Sequence, residues 1–368
     1  MSSVVVSGYY GFSNAGDEAM LTAMIEALTD VDPHIRITVI SGDPENTRRR
    51  HGVDAVYRMN YPAIARRLVQ ADLLISGGGS LLQDVTSGRS LHYYLSIMLL
   101  AQLLGKPVML YAQGIGPVRG GLARAAMRQI VNRTDLITVR DEGSLTELAA
   151  LGITAPPVYL TADSVLTTHP IDRQIGRNIL RRHGVEGVTP RIGVSVREWK
   201  AGGRYKEVLA AALDRMSEEL GARIVFLPMQ YPDDLTASQA IADRMTFPAT
   251  VLPECYTNGE LLSLVGNMDL LVGIRLHALI FAAVMHTPLV GISYDPKIDG
   301  FLETLGETPV GSLDTLQPEQ LLEAVRLHWQ QRKQNNPERE ERLTGLWQKA
   351  FRNAELAVAL LGGELKKP

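Results

Sequence analysis

The sequence predicts an α/β protein of two Rossmann-like domains facing a cleft. Short runs rich in Val, Ile and Leu alternate with helical patterns, and the alternation occurs twice, on either side of a polar stretch near residues 167–190. The length, 368 residues, exceeds what one core ordinarily serves, and a hydrophobic content of 45% leaves apolar material for two. The boundaries that follow are a first domain over 1–168, a linker region over 169–190, a second domain over 191–336, and a C-terminal helix over 337–368 expected to pack back on the first.

In the first domain, Val4-Val5-Val6-Ser7-Gly8 is a short strand breaking on glycine, followed by a glycine-bearing loop and a helix from Ala19 to about Leu28. The loop glycines Gly8, Gly11 and Gly16 do not keep the G-x-G-x-x-G spacing, so no dinucleotide site is expected. Asp17, at the helix start, has two readings: a first-turn acid favouring the helix, or a carboxylate presented at a strand's carboxyl end. Strands are predicted at 36–40, 55–59 and 71–76, the last ending in Gly77-Gly78-Gly79. Three consecutive glycines suit a place where bare backbone is needed, or a tight turn. A helix over 91–104 and a strand over 107–111 lead to a second glycine-bearing strand end, Gln113-Gly114-Ile115-Gly116. After a helix over 122–132, the strand 136–139 delivers Arg140 to a carboxyl edge, where it either meets a ligand or pairs with Asp141, Glu142 or Asp163.

The second series runs strand 191–196, helix 205–220, strand 223–227, helix 233–245, strand 249–251, helix 259–265 and strand 269–272. That last strand feeds Gly273-Ile274-Arg275-Leu276-His277, where a further helix departs, and strand 288–292 leads to Asp295-Pro296-Lys297. Helices over 318–334 and 337–361 complete the chain. In open α/β sheets such strand-to-helix turns face the ligand crevice. Arg275 and Lys297 as fixed cations, with the imidazole of His277 and a helix N-terminus, suit a small, highly charged anion. The alternative is a histidine satisfied within a core helix.

A net charge of −3 argues against a nucleic-acid partner, and the single cysteine, Cys255, excludes an intrachain disulfide framework. The N-terminus runs into a strand with no leader pattern, the longest apolar stretch (93–104) is too short to span a bilayer, and no metal-ligand spacing is present. A cytoplasmic protein with no metal and no cofactor is expected. One surface feature stands out: Arg48-Arg49-Arg50-His51, Arg58 and Arg66-Arg67 lie beside apolar Tyr57, Met59, Tyr61, Ile64 and Leu68. This stripe reads as a solvated helix face or as a surface that meets anionic lipid headgroups or a lipid diphosphate.

The segments at 11–19, 77–84, 113–117, 139–141, 162–164, 275–278 and 295–297, taken in order, resemble the motifs of the polysaccharide pyruvyl transferases and suggest the CsaB type. The resemblance spans nearly the whole chain. It implies a GT-B-like fold with the active site between the domains, the acceptor on the first and phosphoenolpyruvate on the second. It implies formation of a pyruvate ketal on a sugar, N-acetylmannosamine of a lipid-diphosphate-linked cell-wall polymer precursor, in support of S-layer anchoring. Phosphoenolpyruvate is then a co-substrate, and a lipid-linked saccharide and peripheral contact with the anionic inner face of the membrane are the partners.

Carried residue by residue, the resemblance gives Arg140, His277 and Lys297 to the donor and Asp17 to catalysis, with His277 as acid to the enol carbon and Asp17 as base to the attacking hydroxyl. Arg275 ranks behind them as a further donor contact, and Gly11, Gly16, Gly77, Gly78, Gly79 and Gly114 form the cleft loops. The rival expectations are a GT-B glycosyltransferase using a nucleotide sugar and a non-catalytic binding protein on the same fold.

Overall fold

The structure, a computed structural model, describes residues 2–84, 88–169, 171–187, 189–199, 203–334 and 336–365. The chain forms two compact units: Met1–Phe12, Asp17–Thr168 and Gly345–Pro368 in the first, Ser13–Gly16 and His169–Thr344 in the second.

The elements alternate from the start: β1 (Ser3–Ser7), α1 (Ala15–Val31), β2 (Arg36–Ser41), α2 (Pro44–His51), β3 (Asp54–Tyr57), α3 (Tyr61–Gln70) and β4 (Leu73–Ser76). There follow β5 (Gly79–Leu82), α4 (Gly88–Leu103), β6 (Val108–Ile115), α5 (Gly121–Val131), β7 (Leu136–Val139), α6 (Glu142–Ala150) and β8 (Val158–Leu160). These strands make one eight-stranded sheet in the order β3-β2-β1-β4-β6-β7-β8, with β5 pairing β6, and every pairing is parallel. A parallel sheet is covered on both faces, which is why its strands read as unbroken apolar runs. In β1, Val4 and Val6 pack with Leu21, Met24 and Leu28 of α1, while Val5 joins the opposite core with Ile64, Leu68 and Leu95.

The second unit holds α7 (Arg173–Arg182), β9 (Arg191–Ser195), α8 (Arg204–Leu220), β10 (Arg223–Phe226), α9 (Asp233–Ala242), β11 (Ala249–Val251) and α10 (Asn258–Gly266). It continues with β12 (Leu270–Gly273), α11 (Leu276–Val284), β13 (Leu289–Gly291), α12 (Pro296–Thr304) and α13 (Pro318–Gln331). Its five-stranded sheet, also parallel throughout, runs β11-β10-β9-β12-β13. Ile192, Val194, Phe226, Leu270 and Val272 pack there with Leu209, Leu213 and Met216 of α8 and Trp329 of α13.

Several stretches differ from the sequence reading. The polar segment expected as a connection contains α7, capped by Asp172 and packed on α10, with the Gly176 N–H donating to Ser263 Oγ at 2.7 Å. Its arginines occupy the outer face, while Ile179 and Leu180 are buried. Gly79 and Gly114, expected in cleft loops, lie in the parallel strands β5 and β6, and Glu142–Ala150, not expected as an element, is helix α6. The last helix, α14 (Pro337–Leu361), begins in the second unit and continues in the first from Gly345. There Asn353, fully buried, accepts from Thr161 Oγ1 at 2.8 Å and donates to the Ala162 carbonyl, and Ala354, Leu356 and Ala357 join the core beneath β1.

Each sheet has one place where the strand order reverses. In the first unit it lies between β1 and β4, in the second between β9 and β12. Ligands of open α/β sheets bind outside the carboxyl ends of strands at such points.

Candidate functional site

The first unit's switch point carries the glycine segments. The loop after β1 is fixed through Glu18, whose Oε1 accepts the Gly11 N–H at 2.8 Å and whose Oε2 lies 2.9 Å from His51 Nε2, both side chains being buried. Gly77 and Gly78 leave β4 against Tyr10 and Met20, and the burial that surrounds the Tyr10 phenol pushes its pKa well up.

Gly79 adopts φ +94°, a conformation that strains any residue with a Cβ, and a Cβ there would lie 3.2 Å from Asp17 Oδ1. Arg140, at the end of β7, belongs to the same neighbourhood. Its Nη1 donates to Asp163 Oδ2 at 2.5 Å, its Nη2 to Ser80 Oγ at 3.3 Å, and its guanidinium runs along Gly114. The pair is nearly closed off from solvent, with both side chains 6% exposed. Asp163 also caps the short 3₁₀ turn Ser164–Thr167 by accepting the Val165 N–H. Asp17, Gly79, Ser80, Gly114, Arg140 and Asp163 therefore form one group, in which Asp163 fixes the direction of the Arg140 fork and Asp141 Oδ2 stands 3.9 Å from its Nε.

The second unit's switch point carries the rest. β12 ends at Gly273, Arg275 occupies the N-cap position of α11, and His277 is in that helix's first turn. Arg275 is committed elsewhere: Nε donates to Asp234 Oδ2 at 3.0 Å, Nη2 bonds Asp234 Oδ1, and Nη2 reaches Gln230 Oε1 at 3.2 Å. Asp234, fully buried, also accepts the backbone N–H groups of Met229 and Gln230. To that tied turn the segment Ser13–Gly16 attaches, through the Ala15 N–H to the Met229 carbonyl (3.0 Å) and a bridge between Asn14 and Gln230. Gly16 then lies flat on the His277 ring, where a Cβ would fall 2.1 Å from Nδ1 and 2.7 Å from both Cε1 and Cγ. Only glycine permits that approach.

Lys297, in the first turn of α12, lies 3.1 Å from Asp295 Oδ2, and Asp295 also caps that helix. The stripe of the first unit is partly consumed within the fold. Besides His51, Arg67 pairs with Asp54, Arg48 bonds the Ala55 carbonyl, and Arg58 lies over Tyr93 and Phe12. Arg49 and Arg66 are exposed, as are Tyr57, Met59 and Tyr61.

One basic residue escaped the sequence reading. Arg197 follows the end of β9, across the switch point from β12, and its Nη1 donates to Tyr294 Oη at 2.7 Å. Its position two residues beyond a strand in the second series was the available signal.

The sequence model of polysaccharide pyruvyl transferases matches residues 14–296. The chain belongs to the polysaccharide pyruvyl transferase family. Asp17, Arg140, Arg275 and His277 fall inside the matched region, and Lys297 is the first residue beyond it. Among curated relatives, the amylovoran biosynthesis protein AmsJ of Erwinia amylovora is 24% identical over 258 residues, which cover 65% of this chain and 61% of that protein. The chain thus spans less than two thirds of that relative. The fold is GT-B-like. The MnaA–UDP structure from S. aureus superposes with TM-score 0.66 at 13% identity, covering 100% of this chain and 99% of the other. A glycosyltransferase from Rickettsia africae gives TM-score 0.64 at 10% identity, with coverages of 100% and 99%. At such identities the likeness concerns the fold alone. Among the described residues no helix is long and apolar enough to cross a membrane.

Proposed function

We propose that this pyruvyl transferase family member moves the enolpyruvyl group of phosphoenolpyruvate onto two hydroxyls of a sugar, giving a pyruvate ketal and phosphate. The observation that carries the reading is the bare backbone of Gly16, from the first family motif, laid against the imidazole of His277 at a strand-order reversal. A glycine held there sets the position of an imidazole, the side chain most often used for general acid–base work.

In the proposed reaction His277 delivers a proton to the methylene carbon of the enol while one sugar hydroxyl bonds the central carbon. Asp17 takes that hydroxyl's proton. The carbon–oxygen bond to phosphate then breaks, and the second hydroxyl adds to the oxocarbenium-like centre, its proton leaving with phosphate. One hydroxyl proton is thereby balanced by the new methyl hydrogen and the other by the protonated phosphate. Arg140, aimed by Asp163, and Lys297, beside Asp295, hold the anionic groups of the donor. Arg275 we assign to the Asp234 turn that carries Ser13–Gly16, in place of the donor contact expected from sequence.

The acceptor we propose is the one implied by the motif resemblance, N-acetylmannosamine on a lipid-diphosphate-linked cell-wall polymer precursor, with a role in S-layer anchoring. A lipid-linked acceptor brings the protein to the inner face of the membrane, and the exposed Arg49, Arg66, Tyr57 and Met59 are the surface we assign to that contact.

The test is His277→Ala, followed as phosphate release with acceptor present and as equilibrium binding of phosphoenolpyruvate. Turnover is expected to fall by about 10²–10⁴-fold with donor binding retained. Turnover at the wild-type rate would exclude the acid role.

A further inference from the structure

The basic side chains at the carboxyl ends of the second unit's strands differ in how they are used. Arg275 is bound to Asp234, and Lys297 pairs with Asp295. Arg197 has no carboxylate partner among the described residues. The acids near it in chain or fold are taken: Glu198 binds Lys206 at 2.8 Å, and Asp314 accepts the Trp199 indole N–H at 2.9 Å.

The side chain is nonetheless held firmly. Its backbone carbonyl accepts from the Tyr205 hydroxyl at 3.0 Å, Nη1 donates to Tyr294 Oη at 2.7 Å, and the guanidinium carbon lies 4.6 Å from the Tyr294 ring centroid. Trp199 packs on the same ring at 5.3 Å. Within this frame Nε is buried with no hydrogen-bond partner among the described residues. A charged donor buried without an acceptor calls for an explanation; Nε of Arg58, Arg332 and Arg339 share that state, and what sets Arg197 apart is its place just past β9, at the strand-order reversal. Because Nη1 is used by Tyr294, the edge left over is Nε with Nη2. That edge takes two oxygens of one tetrahedral or planar oxyanion side-on. It stands at the end of β9, one of the two strands flanking the order reversal, with β12 and its Gly273–His277 turn as the other.

We propose that Arg197, oriented by Tyr294 and Tyr205, is a phosphoryl-binding residue. The choice of phosphoryl over other oxyanions rests on the pyruvyl-transfer reading, in which two phosphoryl sources exist: the donor ester and the diphosphate of a lipid-linked acceptor. Arg197 grips one of these through Nε and Nη2, adding a cation that carries no internal counter-charge.

Calorimetry on the full chain tests this with three probes: inorganic phosphate alone, phosphoenolpyruvate alone, and a short-chain lipid-diphosphate disaccharide. Arg197→Ala is expected to weaken inorganic phosphate by about tenfold or more, the loss of one charge-assisted bidentate contact. If the donor is the source, phosphoenolpyruvate weakens in parallel and the disaccharide does not; if the acceptor is, the pattern reverses. Tyr294→Phe keeps the ring and removes only the hydroxyl that aims the guanidinium, so it serves where Arg197→Ala fails to fold, and a loss of a few fold is expected. Wild-type affinity for all three probes in both variants, or no binding of phosphate by the wild type, overturns the proposal. Phosphate binding through Arg197 without any pyruvyl transfer would refute the activity and leave this site standing. Transfer with wild-type kinetics in Arg197→Ala would do the opposite.

Discussion

Replacing Gly16 by alanine places a methyl carbon 2.1 Å from Nδ1 of His277 and 2.7 Å from Cε1 and Cγ. Real Cβ atoms do not approach side chains below 3.0 Å, so either the ring or the Ser13–Gly16 segment must yield. The segment is the stiffer partner, since Ala15 is bonded to the Met229 carbonyl and that turn is tied to buried Asp234. The ring therefore moves, by about 1 Å, and a reacting group displaced that far costs about 10²-fold in rate.

The backbone argues against a folding effect. Gly16 lies in the first turn of α1 and has no positive φ, so alanine suits the helix and favours it by up to about 1 kcal/mol. The expected signature is a kcat lower by about 10²-fold, donor affinity near normal, a melting temperature not markedly reduced, and a changed His277 imidazole resonance. Phosphate release with phosphoenolpyruvate and acceptor, together with NMR of labelled histidine, reads all but the melt. Wild-type kcat with an unmoved imidazole resonance would show that Gly16 does not set the position of the His277 ring.

Three further outcomes follow from the same geometry. Asp163→Ala leaves the buried Arg140 with only the more distant Asp141 and removes the cap on Val165, so urea denaturation should show a loss of about 3 kcal/mol, with Asp163→Asn losing less; a change near zero would mean the pair is not closed. Arg275→Ala leaves the fully buried Asp234 without its cation and should destabilise by a similar amount, about 3 kcal/mol, while phosphoenolpyruvate affinity at low temperature stays unchanged; a selective loss of donor binding would return Arg275 to the donor. His328 is held below the ordinary histidine range, first by burial and then by Arg339, against the opposing pull of Glu307. Its unfolded form takes up a proton at higher pH than its folded form, so stability is full above about pH 6.5 and falls as pH drops through the folded value. His328→Gln should flatten that part of the urea-midpoint profile, and an unchanged slope would contradict the assignment.

Most of the fold was legible because a parallel sheet covered on both faces writes its strands as apolar runs, as in Val4-Val5-Val6 and Leu270-Leu271-Val272. Helix α7 was not, since its arginine-rich outer face outweighs Ile179 and Leu180 in a short window. The site shows the same division. Strand ends placed Arg140 and His277 at carboxyl edges, because position along a βα unit is local information. Partners are not local. Asp163 was one of three acids open to Arg140, and Asp234 lies 41 residues before Arg275 on a different βα unit. The contact of Gly16 with His277 joins opposite ends of the family-matched region and leaves no trace in spacing. Arg197 stayed hidden for a related reason: its meaning comes from an orphaned Nε and from Tyr294, which only the folded sheet brings to it.

Every role assigned above serves pyruvyl transfer. Incubating the protein with phosphoenolpyruvate and a synthetic lipid-diphosphate disaccharide ending in N-acetylmannosamine, then analysing the saccharide by mass, tests it most directly. One pyruvyl ketal on the sugar and one phosphate released for each adduct are expected. An unmodified saccharide with no phosphate released, or a glycosyl adduct formed only when a nucleotide sugar is supplied, would contradict pyruvyl transfer.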